Sequence, residues 1–232
     1  MSQPITVIAE MALRELARRR AVLVLLVLLP LGFYLGRSDT PGQAVRFVVL
    51  GVAWAVSTLA LFSTIGARDL DSRLRLSGGR VRDLLLGRGL AVIGAGGVLA
   101  SLFAVLVGVD QDVRWYPGVL INLALAVVIG APLGAFLGQV MPRELEGTLA
   151  LLVILALQFL ADPELLLAKL LPFWALREIG TYSIDDVGRE YLERGLLHAL
   201  ATLAVLVVVG GAASAARLRL VRLPEPVPEP DA

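Results

Sequence analysis

Few side chains in this 232-residue sequence are of a type that does chemistry. It has no cysteine, so no disulfide, thiolate-bound zinc, iron–sulfur cluster or cysteine nucleophile can form, and His198, the single histidine, excludes a multi-histidine metal site. The one lysine, Lys169, closes no glycine-rich loop, so the phosphate cradle of an ATPase is missing. A serine protease acting within the membrane would need His198 beside a serine of a neighbouring segment, and an interfacial polar role for His198 is the simpler reading. Asp69, Asp71 and Asp83 stand among the six arginines of 68–88. They could hold a divalent cation only if further carboxylates converged on them from adjacent helices.

The elements that must carry these residues are apolar. Hydrophobic residues make up 57% of the chain and charged ones 18%, with a mean hydropathy of +0.81, too little charge to cover a soluble domain of this size. The sequence therefore predicts an all-α membrane protein with six transmembrane helices, at 21–35, 44–67, 89–109, 119–141, 148–160 and 196–216. The first and fifth are short for a hydrocarbon core of about 30 Å and must borrow flanking residues or sit in a thinned, protein-lined region. About twenty charge-rich residues precede the first segment and no small-residue cleavage site follows, so it is expected to be retained rather than removed as a signal.

Charge placement orients these spans. With the N-terminus cytoplasmic, the inner segments hold fourteen of the 21 basic residues and the outer ones seven, of which four lie in the long loop after span five. Both termini are expected to be cytoplasmic. A net charge of +1 argues against nucleic acid as a partner, since phosphate binding needs a basic surplus on one face. Twenty arginines to one lysine point to a prokaryotic source, hence to a cell (inner) membrane.

Between the spans, three segments carry pattern. Ahead of span one, Ile5, Ile8, Ala9, Ala12, Leu13 and Leu16 share a helical face opposite Glu10, Arg14 and Arg18, which reads as an interfacial helix on the inner leaflet or as a positive-inside anchor. The 68–88 segment reads as a helix, a glycine turn and a second helix, or as a solvated loop with topogenic charge. The outer segment 161–195 is too short in its apolar half to cross and too greasy for a plain loop, which fits re-entrant or interfacial helices. Beyond 216 a basic stretch gives way to the Pro/Glu-rich run LPEPVPEPDA, an expected disordered tail. Within the spans, Gly130, Gly134 and Gly138 form a small-residue stripe for close helix packing, in the same chain or between subunits. Ser57, Asn122 and Gln158 are possible lining for a substrate path, or ordinary interhelical hydrogen-bonders. No ionisable pair sits mid-membrane, and no inverted repeat relates the two halves, which weakens an ion-coupled carrier.

Taken in order, residues 11–20 (MALRELARRR), 68–89 (RDLDSRLRLSGGRVRDLLLGRG), 137–149 (LGQVMPRELEGTL) and 170–178 (LLPFWALRE) resemble the ABC-2 type permeases, the membrane subunits of type-2 ABC exporters. The resemblance implies an N-terminal connecting helix carrying Arg14 and Arg18, a cytoplasmic coupling helix between spans two and three, and extracellular re-entrant helices between spans five and six. It implies that Arg68, Asp69, Asp71, Arg73 and Arg75 face an ATP-binding subunit, with Arg143, Glu144 and Glu146 as a second inner contact. Leu171, Pro172 and Phe173 match its re-entrant region. The implied partners are ABC ATP-binding subunits, a second permease, identical or homologous, and membrane lipid. The chain itself would be no enzyme and bind no cofactor, ATP and Mg being held by the ATPase subunit. A stretch around Asp83 also resembles fragments of lipid-head-group phosphotransferases, but the leading Asp pair is missing and Gly87 stands where an acid is needed. A membrane-embedded lipid-modifying enzyme and an ATP-independent secondary carrier are the alternatives.

Overall fold

Long runs of Leu, Val and Ala, interrupted by glycine or proline where the chain turns, build ten α-helices and no strand among the described residues. The computed structural model describes residues 3–18, 20–40, 42–76, 78, 80–162 and 165–218. The helices are α1 (Gln3–Arg18), α2 (Arg20–Leu35), α3 (Gln43–Gly66), α4 (Arg68–Leu76), α5 (Val81–Asp110), α6 (Tyr116–Val140), α7 (Glu144–Leu160), α8 (Leu166–Leu170), α9 (Trp174–Ile184) and α10 (Glu190–Arg217). Most of the expected tail, 219–232, lies outside the described residues.

Four helices, α3, α5, α6 and α10, are long and apolar enough to cross a membrane. At about 1.5 Å per residue, their 24 to 30 residues exceed a hydrocarbon core of about 30 Å. With 16 and 17 residues, α2 and α7 fall short of it, so six full-length spans are not what the helix lengths give. Much of the outward surface is bare aliphatic side chain, including Leu25, Leu28, Val98, Val105, Leu152, Val153, Leu200 and Val208. Apolar surface on that scale on several helices is a surface for lipid rather than water.

Helix α3 is the centre of the bundle. Val45, Val48, Val49, Val52, Val56 and Leu61 are fully buried among α2, α5, α6, α7 and α9. Its closest neighbour is α6, and the reason is the glycine stripe. A Cβ at Gly130 would lie 2.8 Å from the Ala53 carbonyl oxygen, one at Gly138 would lie 2.7 Å from Thr64 Cβ, and one at Gly134 would collide with the Ser57 carbonyl. These glycines let the two backbones touch, the packing mode available where hydrophobicity gives no drive between helices. On the other side of α3, Pro30 within α2 rests against Gly51.

Turn chemistry sets the ends. Gly42 has φ 81°, a conformation costly for any other residue, and a Cβ there would also meet Ile184. Gly78, at φ 93°, separates α4 from α5. Pro142 drives Met141 to ψ 136°, which stops α6. The helix resuming at Glu144 carries Glu144 and Glu146 in its first turn, where acids suit the positive end of the helix dipole.

Candidate functional site

Two charged ends cap this bundle, and the potentially functional side chains divide between them. At one end lie α4, the start of α5 and the α6–α7 turn. Asp71 and Arg88 are 3% and 9% exposed, and the guanidinium donates from Nη1 and Nη2 to both carboxylate oxygens at 2.7 and 2.8 Å. A bidentate pair of this kind has both charges satisfied inside low-dielectric surroundings, and it fixes α4 against α5. Arg68, the first residue of α4, donates to the carbonyls of Gly138 (2.8 Å), Met141 and Pro142 (2.7 Å). It therefore caps α6 with a cation at its negative end. Arg217, in the last turn of α10, donates to Gln139 Oε1 at 2.9 Å and brings that helix to the same place.

These bonds draw together two segments that the sequence separates by about seventy residues. Asp69, Ser72 and Arg73 on α4, and Arg143, Glu144, Leu145 and Glu146 at the α6–α7 turn, are all exposed beside the Arg68 clasp. Asp71 and Arg68 do not join that outward set. The sequence reading offers both to a partner, but Asp71 is consumed by Arg88 and the Arg68 guanidinium by the α6 carbonyls. Arg75 belongs to α4, but its side chain lies outside the described residues. Next to α4, α1 packs on α5 through Ile8, which presses on Gly87. Arg14 and Arg18 are exposed on α1, Arg14 pairing with Glu10, and a groove of about 370 Å³ runs between α1 and α4, lined by Met11, Arg18, Leu70 and Leu74.

At the opposite end, α9 is wedged between α6 and α10. Phe173 and Leu171 are buried under it, and Pro172 is half-buried. Asn122 of α6 donates to the Leu176 carbonyl at 2.9 Å, Arg46 of α3 pairs with Asp185, Arg114 with Asp186 (2.9 Å), and Arg194 of α10 with Glu178 (2.9 Å). The Tyr34 hydroxyl at the end of α2 donates to Asp110 at the end of α5. A cleft of about 470 Å³ opens here between α3, α7, α8, α9 and α10. Of Ser57, Asn122 and Gln158, only Gln158 lines it. Ser57 is fully buried in the α3–α6 seam with its hydroxyl donating to Ala53, and Asn122 is spent on α9.

His198 donates from Nε2 to the Lys169 carbonyl at 2.8 Å and sits edge-on to Trp174, so its ring is occupied structurally. Asp83 lies beside Arg82, and among the described residues no three His, Asp or Glu side chains gather as metal ligands would. Sequence reasoning missed Arg88 as the partner of Asp71. The available signal was an arginine at the mouth of a long apolar run, where an ionisable group must find a partner. It also missed the cleft cations Arg46, Lys169, Arg177 and Arg194, which come from four separate helices and share no motif.

The fold and its two charged ends define a helical protein with several helices fit to cross a membrane. Comparison with models of known protein families finds no match for this chain, and comparison with curated proteins finds none.

Proposed function

We propose that the chain is the permease subunit of an ATP-driven exporter of the ABC-2 type, embedded in a prokaryotic cell membrane. On this reading α2, α3, α5, α6, α7 and α10 are six spans, the two short ones completed by flanking residues and local thinning. Helix α1 is the interfacial connecting helix, α4 the coupling helix, and α8 with α9 the re-entrant pair on the outer side. Asp69, Arg73, Glu144 and Glu146 meet the ATP-binding subunit, which holds ATP and Mg. Both termini face the cytoplasm, and a second permease completes the path.

The observation that carries this reading is the clasp of Arg68 on the α6 carbonyls, which sets α4 and the α6–α7 turn side by side as one exposed charged surface. Such a surface suits a docking role, since surface charge confers register and specificity more than raw affinity. The Asp71–Arg88 pair supports a mechanical role as well. A push on α4 reaches α5 through that pair and α6 through Arg68, so closure of the ATPase subunits around nucleotide can tilt the helices that line the path.

The test is purification of the tagged chain from its native membrane with its nucleotide-binding subunit, identified by mass spectrometry. Charge reversal at Asp69, Arg73, Glu144 and Glu146 together is expected to abolish co-purification or uncouple the ATPase. A complex with unchanged yield and ATPase activity would refute the docking assignment.

A further inference from the structure

The cleft at the α9 end lies away from the α4 surface, and its chemistry is specific enough to name a ligand class. At about 470 Å³ it is within the range of small-molecule sites. One wall is apolar, formed by Phe47, Leu50 and Phe159, and Phe159 is 39% exposed, so this wall continues onto the aliphatic flank of α7. The other wall is basic. Arg46, Lys169, Arg177 and Arg194 line it against only Glu178 and Asp185. Arg46 is held by Asp185 and Arg194 by Glu178, whereas Lys169 and Arg177 make no ion pair among the described residues. Lys169, exposed, and half-buried Arg177 therefore line the cleft without a carboxylate paired to them among the described residues, and their attraction for an anion strengthens as a bound ligand excludes water.

Two buried groups make this a built site rather than a basic surface. Gln158, 6% exposed, and Trp174, 7% exposed, both line the cleft. The Gln158 Oε1 acceptor and the Trp174 Nε1–H donor have no hydrogen-bond partner among the described residues. Buried polar atoms are nearly always paired in a folded protein, and an acceptor on α7 and a donor on α9, both shielded from solvent among the residues lining the cleft, are what a ligand that enters and displaces their covering side chains would satisfy. Trp174 also supplies a rigid amphipathic surface whose back is fixed by His198.

We infer that this cleft binds an amphiphile with an anionic, hydroxyl-bearing head and an apolar body, the head between Lys169, Arg177 and Trp174 and the body against Phe47 and Phe159. The shared chemistry is a phosphate-type anion, whether borne by a bilayer lipid head or free in solution, and the apolar wall open to the α7 flank favours the lipid. The site does not depend on the chain being a permease.

The experiment uses the full chain with Trp54→Phe and Trp115→Phe, so that Trp174 alone reports, in phosphatidylcholine nanodiscs with rising phosphatidylglycerol. The expected result is a saturable change in Trp174 emission, with the half-saturating fraction raised about fivefold or more by Lys169→Gln with Arg177→Gln. Arg177→Lys retains the response, and Arg143→Gln, at the other end of the bundle, leaves it unchanged. An equal response in the Lys169→Gln/Arg177→Gln protein would overturn the site. Full saturation by inorganic phosphate in pure phosphatidylcholine would overturn the amphiphile assignment.

Discussion

Replacing Asp71 by leucine tests the buried pair that joins α4 to α5. The two side chains are 4% and 10% exposed, so solvent screens the interaction little, and both hydrogen bonds are of charge-assisted length at 2.7 and 2.8 Å. Removing the carboxylate leaves the Arg88 guanidinium buried without a counter-charge, which costs about 3–5 kcal/mol. Against a total stability of about 5–15 kcal/mol for a typical domain, that is a large fraction, and α4 should detach before the bundle unfolds. The assay is a double-mutant cycle on purified protein in detergent, with denaturant unfolding followed by tryptophan emission and α4 release by tryptic cleavage at Arg73. Asp71→Leu and Arg88→Met singly are expected to destabilise by that amount and to expose α4 to trypsin. The double variant, which removes both charges and keeps apolar bulk, is expected to return to within about 1 kcal/mol of the parent. Single variants that shift stability by less than about 1 kcal/mol, or effects that simply add in the double variant, would refute a buried, coupled pair.

Glycine replacements should separate by position. Gly134→Ala drives a methyl into the Ser57 carbonyl and is expected to cost about 1–3 kcal/mol or more, while Gly211→Ala, with open space around it, should be neutral or stabilising by about 0.5–1 kcal/mol; thermal midpoints of the two proteins check the opposite signs. Single cysteines replacing Arg73 and Asp186, in a chain with none of its own, should react with an impermeant maleimide from opposite faces of sealed vesicles, and labelling from the same face would contradict the two-ended arrangement.

The apolar pattern made much of this architecture legible. The apolar segments 44–67 and 119–141 coincide closely with α3 and α6, because uninterrupted Leu, Val and Ala leave few alternatives to a helix. The start of α5 agrees with the helix, glycine turn and second helix read from 68–88, with the solvated loop as its alternative. Hydropathy did not tell that Asp83 and Arg88 in that polar stretch are buried and that the helix runs unbroken into the apolar span. The glycine stripe was visible as a packing face, but its spacing cannot say that α3 is what it meets. Asp71 read as an outward charge for the same reason. Its partner lies seventeen residues away across a turn, and no local period links the two. The α9-end cleft was the least legible, assembled from five helices, with basic residues that looked like scattered loop charges.

The central claim is that α4 and the α6–α7 turn dock an ATP-binding subunit. Cysteines introduced singly at Asp69, Arg73, Glu144 and Glu146, with Asp186 as the control from the far end, can be cross-linked in native membranes and the adducts sequenced. Permease coupling predicts adducts to one nucleotide-binding protein from the first four positions, strengthened or shifted by nucleotide, and none from Asp186. Adducts to no such protein from any of the four, or equal cross-linking from Asp186, would contradict it.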